Sequence, residues 1–397
     1  MTRAASTTRS VRVVTPEEAA DALVTHLGLR RMRTGPKEHE LPDLLDTLRH
    51  IQLDPLDVLG TNADLVAMAR IEGLKKGDVY RHLLSGHAFE HFAKERCLLP
   101  RRAFPWYRRH ITQTRWWGLE VRLDRLPAET IEAVLETLTR VGPATSAELE
   151  AAMREEGMEP GRVTPLDWSG WKGTSKAVSM ALEVLWTRCD AVVVGRRGRS
   201  QKVFDIAARA FGRQRPAPKE RERFLEWALL ERVHAAKLLG RHSGPHWSTI
   251  SELRDSELPD RLIARGELEE VQVAGSPRRY LAPAGLFEGH DHDGDEHMRI
   301  LGPLDPMLWD RKLVHHAFGF DYVWEVYKPA HTRRFGYYVL PLLHHGRLVG
   351  RFEGHLEDLG QGRRLVVDTL WKEDGRRFDQ RAFKRALARH EAALSDP

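Results

Sequence analysis

Gln52 and Asp54 stand two residues apart in the apolar run LRHIQLDPLD, residues 48–57, with Pro55 directly after the second of them. Proline holds the residue before it in extended geometry, and in an extended segment residues i and i+2 share a face. The two polar side chains are therefore expected to point one way and Ile51 and Leu53 the other. A carboxylate can stabilise a developing cation or take a proton from a water. An amide donates and accepts, so it can fix that water or a sugar oxygen. The plainer alternative is a half-buried strand with a solvated polar face, the ordinary meaning of such alternation. The rest of the chain has to decide.

Two stretches of similar design surround the middle of the chain. Residues 127–153 predict a helix, a Gly-Pro turn and a second helix capped by Thr145 or Ser146, with Glu148 at capping-box spacing from Thr145. Val178, Ala181, Leu182, Leu185 and Trp186 then fall at helical spacing, and AVVVGRRGRSQKVFDI predicts a hairpin. Helix, turn, helix and hairpin in that order predict a winged helix-turn-helix over 125–212. The order returns over 217–285, where KERERFLEWALLERVHAAKLL is a long helix, HWSTISEL a helix start capped by Ser248 or Thr249, and the segment to Pro283 a hairpin. At an offset of 77, Leu262 falls on Leu185, Arg265 on Arg188, Gly275 on Gly198 and Tyr280 on Val203. An internal repeat is strong architectural evidence.

Both predicted wings are basic. Arg188, Arg196, Arg197, Arg199 and Lys202 lie close together with one acid, Asp190, and the second wing carries Arg278 and Arg279. Such tips suit phosphate contact, where each neutralised phosphate releases a counterion. Lys172 and Lys176, before the helix that leads into the first wing, and Arg333 and Arg334 nearer the C-terminus join them as candidate DNA contacts.

Before the repeat, Thr15 and Pro16 predict a helix start with Ala19, Leu23 and Leu27 on one face, and a second helix is expected after Pro42. The run from His87 to Trp117 is dense in aromatics and arginine, which can clamp a nucleic acid. A helix burying Phe89, Phe92 and Leu99 explains most of it without a ligand. Residues 1–14 read as a loose tail, 15–124 as a helical or winged unit holding the Gln-x-Asp pair, 286–298 as a polar linker, 299–375 as a small β domain and 376–397 as a closing helix and tail. The fold class expected is thus α+β, with tandem winged units followed by a β domain.

Composition narrows the function. The 397 residues are 41% apolar and 30% charged, with a net charge of +5. No apolar run reaches the roughly 18 residues a membrane span needs, so no membrane partner is expected. Only Cys97 and Cys189 occur, which leaves neither a disulfide framework nor a zinc ribbon and suits a reducing cytoplasm. HDHDGDEH, residues 290–297, invites a metal, but its glycine is misplaced for a calcium loop and the distal glutamate is missing.

With these residues in place, the chain resembles the bacterial winged-helix DNA glycosylases of the AlkZ/YcaQ type. IQLDPLDV, the region around FEHFAKERCLLP, the two basic winged units and the stretch GPLDPMLWDRKLVHHAFGFDYVWEVYKPAHTRRFGYYVLPLLHHGRLVGRF carry the likeness. It implies a monomer that surrounds duplex DNA containing alkylated bases, excises alkylated purines, unhooks crosslinks at N7-alkylguanine and needs no metal or other cofactor. It also implies that Gln52 and Asp54 are the Gln-x-Asp catalytic pair; the chemistry needs no second acid, with Glu90 a candidate for a supporting role. The chain departs from the YcaQ-like pattern at GTNADL, residues 60–65, and at EHFAKE, residues 90–95. Two other readings stand beside this one. A non-enzymatic regulator would bind as a symmetric dimer to paired half-sites. A metal-dependent hydrolase would need histidine spacing that the scattered histidines lack.

Overall fold

The computed structural model describes residues 11–110, 126–163, 175–198, 201–289, 293–359 and 363–395. The architecture is mixed α+β, and the chain divides into two compact units. Met1–Pro36, Thr47–Lys76 and Leu225–Pro397 form one; Lys37–Asp46 and Gly77–Phe224 form the other. These units are interleaved, whereas the sequence suggested consecutive pieces. The expected N-terminal unit, 15–124, is shared between them, and where a new unit was expected to open at 217 the division falls between Phe224 and Leu225, inside the helix Arg221–Ala236.

In the first unit the helix Pro16–His26 starts as its sequence dictates. Thr15 accepts from the Glu18 amide at 3.1 Å, the Glu18 carboxylate accepts from the Thr15 amide at 2.7 Å, and Pro16 occupies the first helical position. Residues 12–14 correct the expected tail: Arg12–Val14 is a strand paired in parallel with Leu268–Val273, Arg12 opposite Val271 and Val14 opposite Val273. A partner some 260 residues away is invisible in local composition. Leu268–Val273 pairs antiparallel with Arg279–Pro283, which also receives the short strand Leu239–Gly240.

The second sheet of this unit is an antiparallel meander of Arg299–Ile300, Val339–His344, Arg347–Asp358 and Arg363–Lys372. His345 and Gly346, at φ 47° and 69°, make the two-residue turn whose twist matches the strands it joins. Gly354 is obligatory, because a Cβ there would lie 2.4 Å from the Val366 carbonyl oxygen. The helix Gln380–Leu394 covers the sheet, with Ala382, Phe383 and Ala386 packed among Tyr338, Leu340, Phe352 and Leu365. The expected linker 286–298 does structural work at its end: Met298 is buried, and Asp295 accepts from the Met32 amide and, at 2.6 Å, from Arg299.

In the second unit, Ala128–Val141 and Ala177–Thr187 pack together, and Thr145 and Glu148 complete the expected capping box on Ser146–Glu155. Ala144–Thr145, Gln201–Ile206 and Ala191–Arg197 form a three-stranded sheet. The offset of 77 survives in three dimensions: Arg188 and Arg265 each end a helix, and Gly198 and Gly275 each take positive φ in the hairpin that follows.

Three local expectations fail for identifiable reasons. HAFEHFAKERCLLP is an antiparallel hairpin, Ala88–Phe92 with Arg96–Pro100, not a helix. Both faces of Ala88–Phe92 are buried, so its sequence lacks the polar alternation that betrays a strand. The helix expected after Pro42 runs from Lys37 to Leu48 with the proline inside it. One i→i−4 bond is forgone there, while Leu41, Leu44, Leu45 and Leu48 are fully buried along the same helix. HWSTISEL starts no α-helix; two short 3-10 turns, Pro245–Trp247 and Ser251–Leu253, flank Thr249 at φ 70°.

Candidate active site

Regular strand in the Gln-x-Asp segment is limited to Ile51–Gln52, so the extended pairing expected through Asp54 stops one residue short of Leu53. Gln52 is buried, at 6% exposure, which removes the reading of a solvated polar face. Asp54 is half-buried and accepts from the Leu56 amide at 2.9 Å across Pro55. This local bond fixes the carboxyl two residues back along its own backbone, the usual service of aspartate in a turn. Desolvation raises the Asp54 pKa above the ordinary aspartate value, with the Leu56 amide pulling weakly the other way. Once ionised, such a carboxylate is a stronger base than an exposed one.

Asn62 positions the segment. Its side chain donates to the Gln52 carbonyl at 2.8 Å and to the Leu304 carbonyl at 3.4 Å, and accepts from the Leu304 amide at 3.2 Å. Asn62 lies in the GTNADL departure and was missed as a functional residue. The helix it opens, Asn62–Met68, is capped by Thr61, which accepts from the Asp64 amide at 3.2 Å, so T-x-x-D was the available signal. Just beyond that helix, Arg70 is wholly buried and meets the wholly buried Asp305 at 2.6 and 2.9 Å, while also donating to the carbonyls of Val66 and Leu27. The segments QLDP and GPLDP are thereby tied to one short helix, one by Asn62 and the other by both Asn62 and Arg70.

Leu56, Val58 and Trp324 pack on the cluster that contains Tyr338. Burial, followed by the Asp54 charge, raises the pKa of both Tyr327 and Tyr338. Tyr338 is buried, whereas Tyr327 is 79% exposed. The loop that carries Tyr327 closes on Glu325, whose carboxylate accepts from Lys328 at 2.7 Å and from the amides of Arg334 and Phe335 at 2.9 and 2.8 Å. Burial alone would raise the Glu325 pKa, but these donors prevail and bring it down to about 2.

Glu90, expected to support the pair, belongs to the second unit. There it is buried, at 1% exposure, and its carboxylate is taken by Arg196, whose guanidinium also lies over the Tyr80 ring at 4.7 Å. Arg196 is thus committed to structure rather than offered to phosphate. Arg278 is committed likewise, donating to Asp310 at 2.6 Å and to the Ser243 carbonyl. Lys202 meets Glu183 at 3.1 Å beside the Trp186 ring. Of the other basic candidates, Lys176 pairs with Glu150, Arg197 with Glu148 and Arg279 with Glu270, all three on the surface. Arg188 is half-buried at its helix end, near Asp190. Arg333 donates to the Lys328 carbonyl and lies over the Tyr337 ring at 5.0 Å; Arg334 lies over Phe335 at 4.8 Å. Lys172 and Arg199 lie outside the described residues, as does part of the HDHDGDEH segment. Among the described residues no group of three or more His, Cys, Asp or Glu is placed to hold a metal ion. No helix among them is long and apolar enough to cross a membrane.

Comparison with solved structures finds a DNA glycosylase AlkZ from Streptomyces sahachiroi, 16% identical, with a TM-score of 0.58 and 96% of each chain covered. At that identity the likeness speaks for the fold. Residues 45–393 match the family model described as DNA glycosylase AlkZ-like, a span that takes in Gln52, Asp54, Asn62, Glu90 and the whole meander. On that match the chain belongs to the AlkZ-like DNA glycosylase family, and its activity is that of a DNA N-glycosylase.

Proposed function

We propose that this chain hydrolyses the N-glycosidic bond of alkylated purines in duplex DNA, N7-alkylguanine and its interstrand crosslinks among them, through Gln52 and Asp54. The observation that carries the reading is the desolvated, half-buried Asp54 beside a Gln52 whose backbone is clamped by Asn62. An N7-alkylated guanine already bears positive charge, so cleavage of the C1′–N9 bond returns the electron pair to a base that leaves neutral. Charge then develops at C1′, as in other glycosidic cleavages. The Asp54 carboxylate is suited to stabilise that cation and to accept the proton of the water that adds to C1′. The Gln52 amide can orient the water or the deoxyribose. For a monoadduct the products are the free base and an abasic site; for a crosslink each hydrolysis leaves an abasic site in one strand and the base tethered to the other. Glu90, paired with Arg196 in the second unit, is given no step in this reaction.

We read the two helix-and-hairpin units as winged helices that grip duplex DNA through the surface cations Lys176, Arg197 and Arg279, with Arg333 and Arg334 in the loop that carries Tyr327. Arg197→Ala and Arg279→Ala should each lower the slope of log affinity against log salt by about 1, uniformly across sequences. Fluorescence titration at three salt concentrations checks this. Replacing Arg196 should show up in thermal stability instead, because it leaves Glu90 buried and unpaired.

The pH dependence follows from Asp54. The ionised form is the working one, so base release should fall as pH drops through the Asp54 pKa. Since desolvation raises that pKa, the acidic limb should lie at higher pH than an exposed aspartate would give. Single-turnover rates on an N7-methylguanine duplex across pH, corrected for spontaneous loss of base, measure the limb; a limb at the exposed-aspartate position would count against Asp54.

A further inference from the structure

Tyr327 is 79% exposed, far more than a tyrosine ring normally leaves in water, and it is the most exposed of the large apolar residues among those described. It sits at the tip of a turn closed by the Lys328 amide donating to the Glu325 carbonyl at 2.9 Å. Three further donors hold the same glutamate, and Arg333 closes the neck of the loop through the Lys328 carbonyl at 2.9 Å. Trp324 meets the Tyr327 ring edge-on, 5.7 Å between centroids and 73° between planes, and also meets Tyr338 edge-on at 6.1 Å. The loop is therefore a rigid mount for one exposed ring. Its base rests on the same apolar cluster as Leu56, the residue whose amide holds Asp54.

A fixed, exposed aromatic ring with cations behind it is what nucleic-acid proteins use to stack a base, because every base offers a π-face and little ordering entropy is lost. Here the cations are Arg333 and Arg334, lying over Tyr337 and Phe335. We infer that Tyr327 stacks on a nucleobase at or next to the lesion and so holds the target nucleotide against Asp54. This rests on the reading of Asp54 as the catalytic carboxylate. It makes Tyr327 a contact to substrate in its own right, one that acts on recognition of the damaged duplex. The phenol hydroxyl has no part in it, so phenylalanine should serve as well.

The test uses the full chain carrying Asp54→Asn, which slows turnover enough to measure binding, and a duplex with a single N7-methylguanine. Affinity is measured by anisotropy for Tyr327, Tyr327→Phe and Tyr327→Ala, with thermal melts as a control for folding. Loss of one base stack corresponds to roughly 5- to 150-fold weaker binding. Tyr327→Ala should fall in that range, Tyr327→Phe should stay within about twofold, and neither should shift the melt. Equal losses in Phe and Ala, or no loss in Ala, would overturn the inference. In an otherwise wild-type chain, Tyr327→Ala should raise the half-saturating duplex concentration more than it lowers the single-turnover rate, and the reverse split would also overturn it. Failure of the parent reading is separable: it shows as an absence of base release by wild type, while the anisotropy series still reports whether Tyr327 stacks on DNA.

Discussion

Asp54→Asn should lower the single-turnover rate of base release by about 10²- to 10⁴-fold, the range removed with a general base or a charge-stabilising group. Asparagine keeps the shape and can still accept from the Leu56 amide, so the turn across Pro55 should persist. What disappears is the charge, which is the part needed at C1′ and for the water proton. Affinity for the damaged duplex should change by no more than a few-fold, since one half-buried carboxylate contributes little to holding a polyanion. Gln52→Ala should cost less than Asp54→Asn. Its amide orients a reactant, while the backbone hold that fixes the segment comes from Asn62 on the Gln52 carbonyl and survives the substitution. A comparable loss of rate in Asp54→Asn and in a distant surface variant would deny Asp54 its role.

Asp305→Ala should destabilise the first unit by about 3–5 kcal/mol, because it strands the wholly buried Arg70 guanidinium without its counter-charge. Arg70 keeps its bonds to the Leu27 and Val66 carbonyls, but neutral acceptors do not offset a desolvated cation. The loss should appear as an earlier transition in urea or heat, and Arg70→Met with Asp305→Leu together should recover most of it. The pair also matters to function. Arg70 follows the helix Asn62–Met68, and Asp305 caps the turn after Leu304, the residue Asn62 holds alongside Gln52. A small drop in stability from Asp305→Ala, or no recovery in the double variant, would show that the pair is not the clamp described.

The features legible in the sequence were those whose physics is local. Thr15 with Glu18 and Thr145 with Glu148 announce helix starts because all four hydrogen-bonding groups of each cap lie within four residues. The repeat at offset 77 is visible because the same helix end and the same glycine turn recur in one order. Long-range facts were hidden. Nothing near Arg196 indicates that Glu90, 106 residues earlier, takes its charge, so a basic wing offered to phosphate was the natural reading. Arg12–Val14 reads as tail until its partner at 268–273 is known. Gln52 and Asp54 stood out through Pro55 and their spacing, but Asn62 was marked only by the T-x-x-D helix start around it, and Tyr327 carried no pattern. One is a lone amide at a helix start, and the other is a tyrosine whose exposure only the closed loop reveals.

The most direct measurement is release of free base by the wild-type chain from a duplex holding one N7-methylguanine, beside a duplex holding a nitrogen-mustard crosslink and with Asp54→Asn as control. Free base from the N7-methylguanine duplex, separation of the crosslinked strands with an abasic site left in the cleaved one, and release slowed about 10²- to 10⁴-fold in Asp54→Asn are expected of a monofunctional glycosylase working through this carboxylate. Tight binding of both duplexes with no base freed by wild type would contradict it and leave a DNA-binding protein without this chemistry.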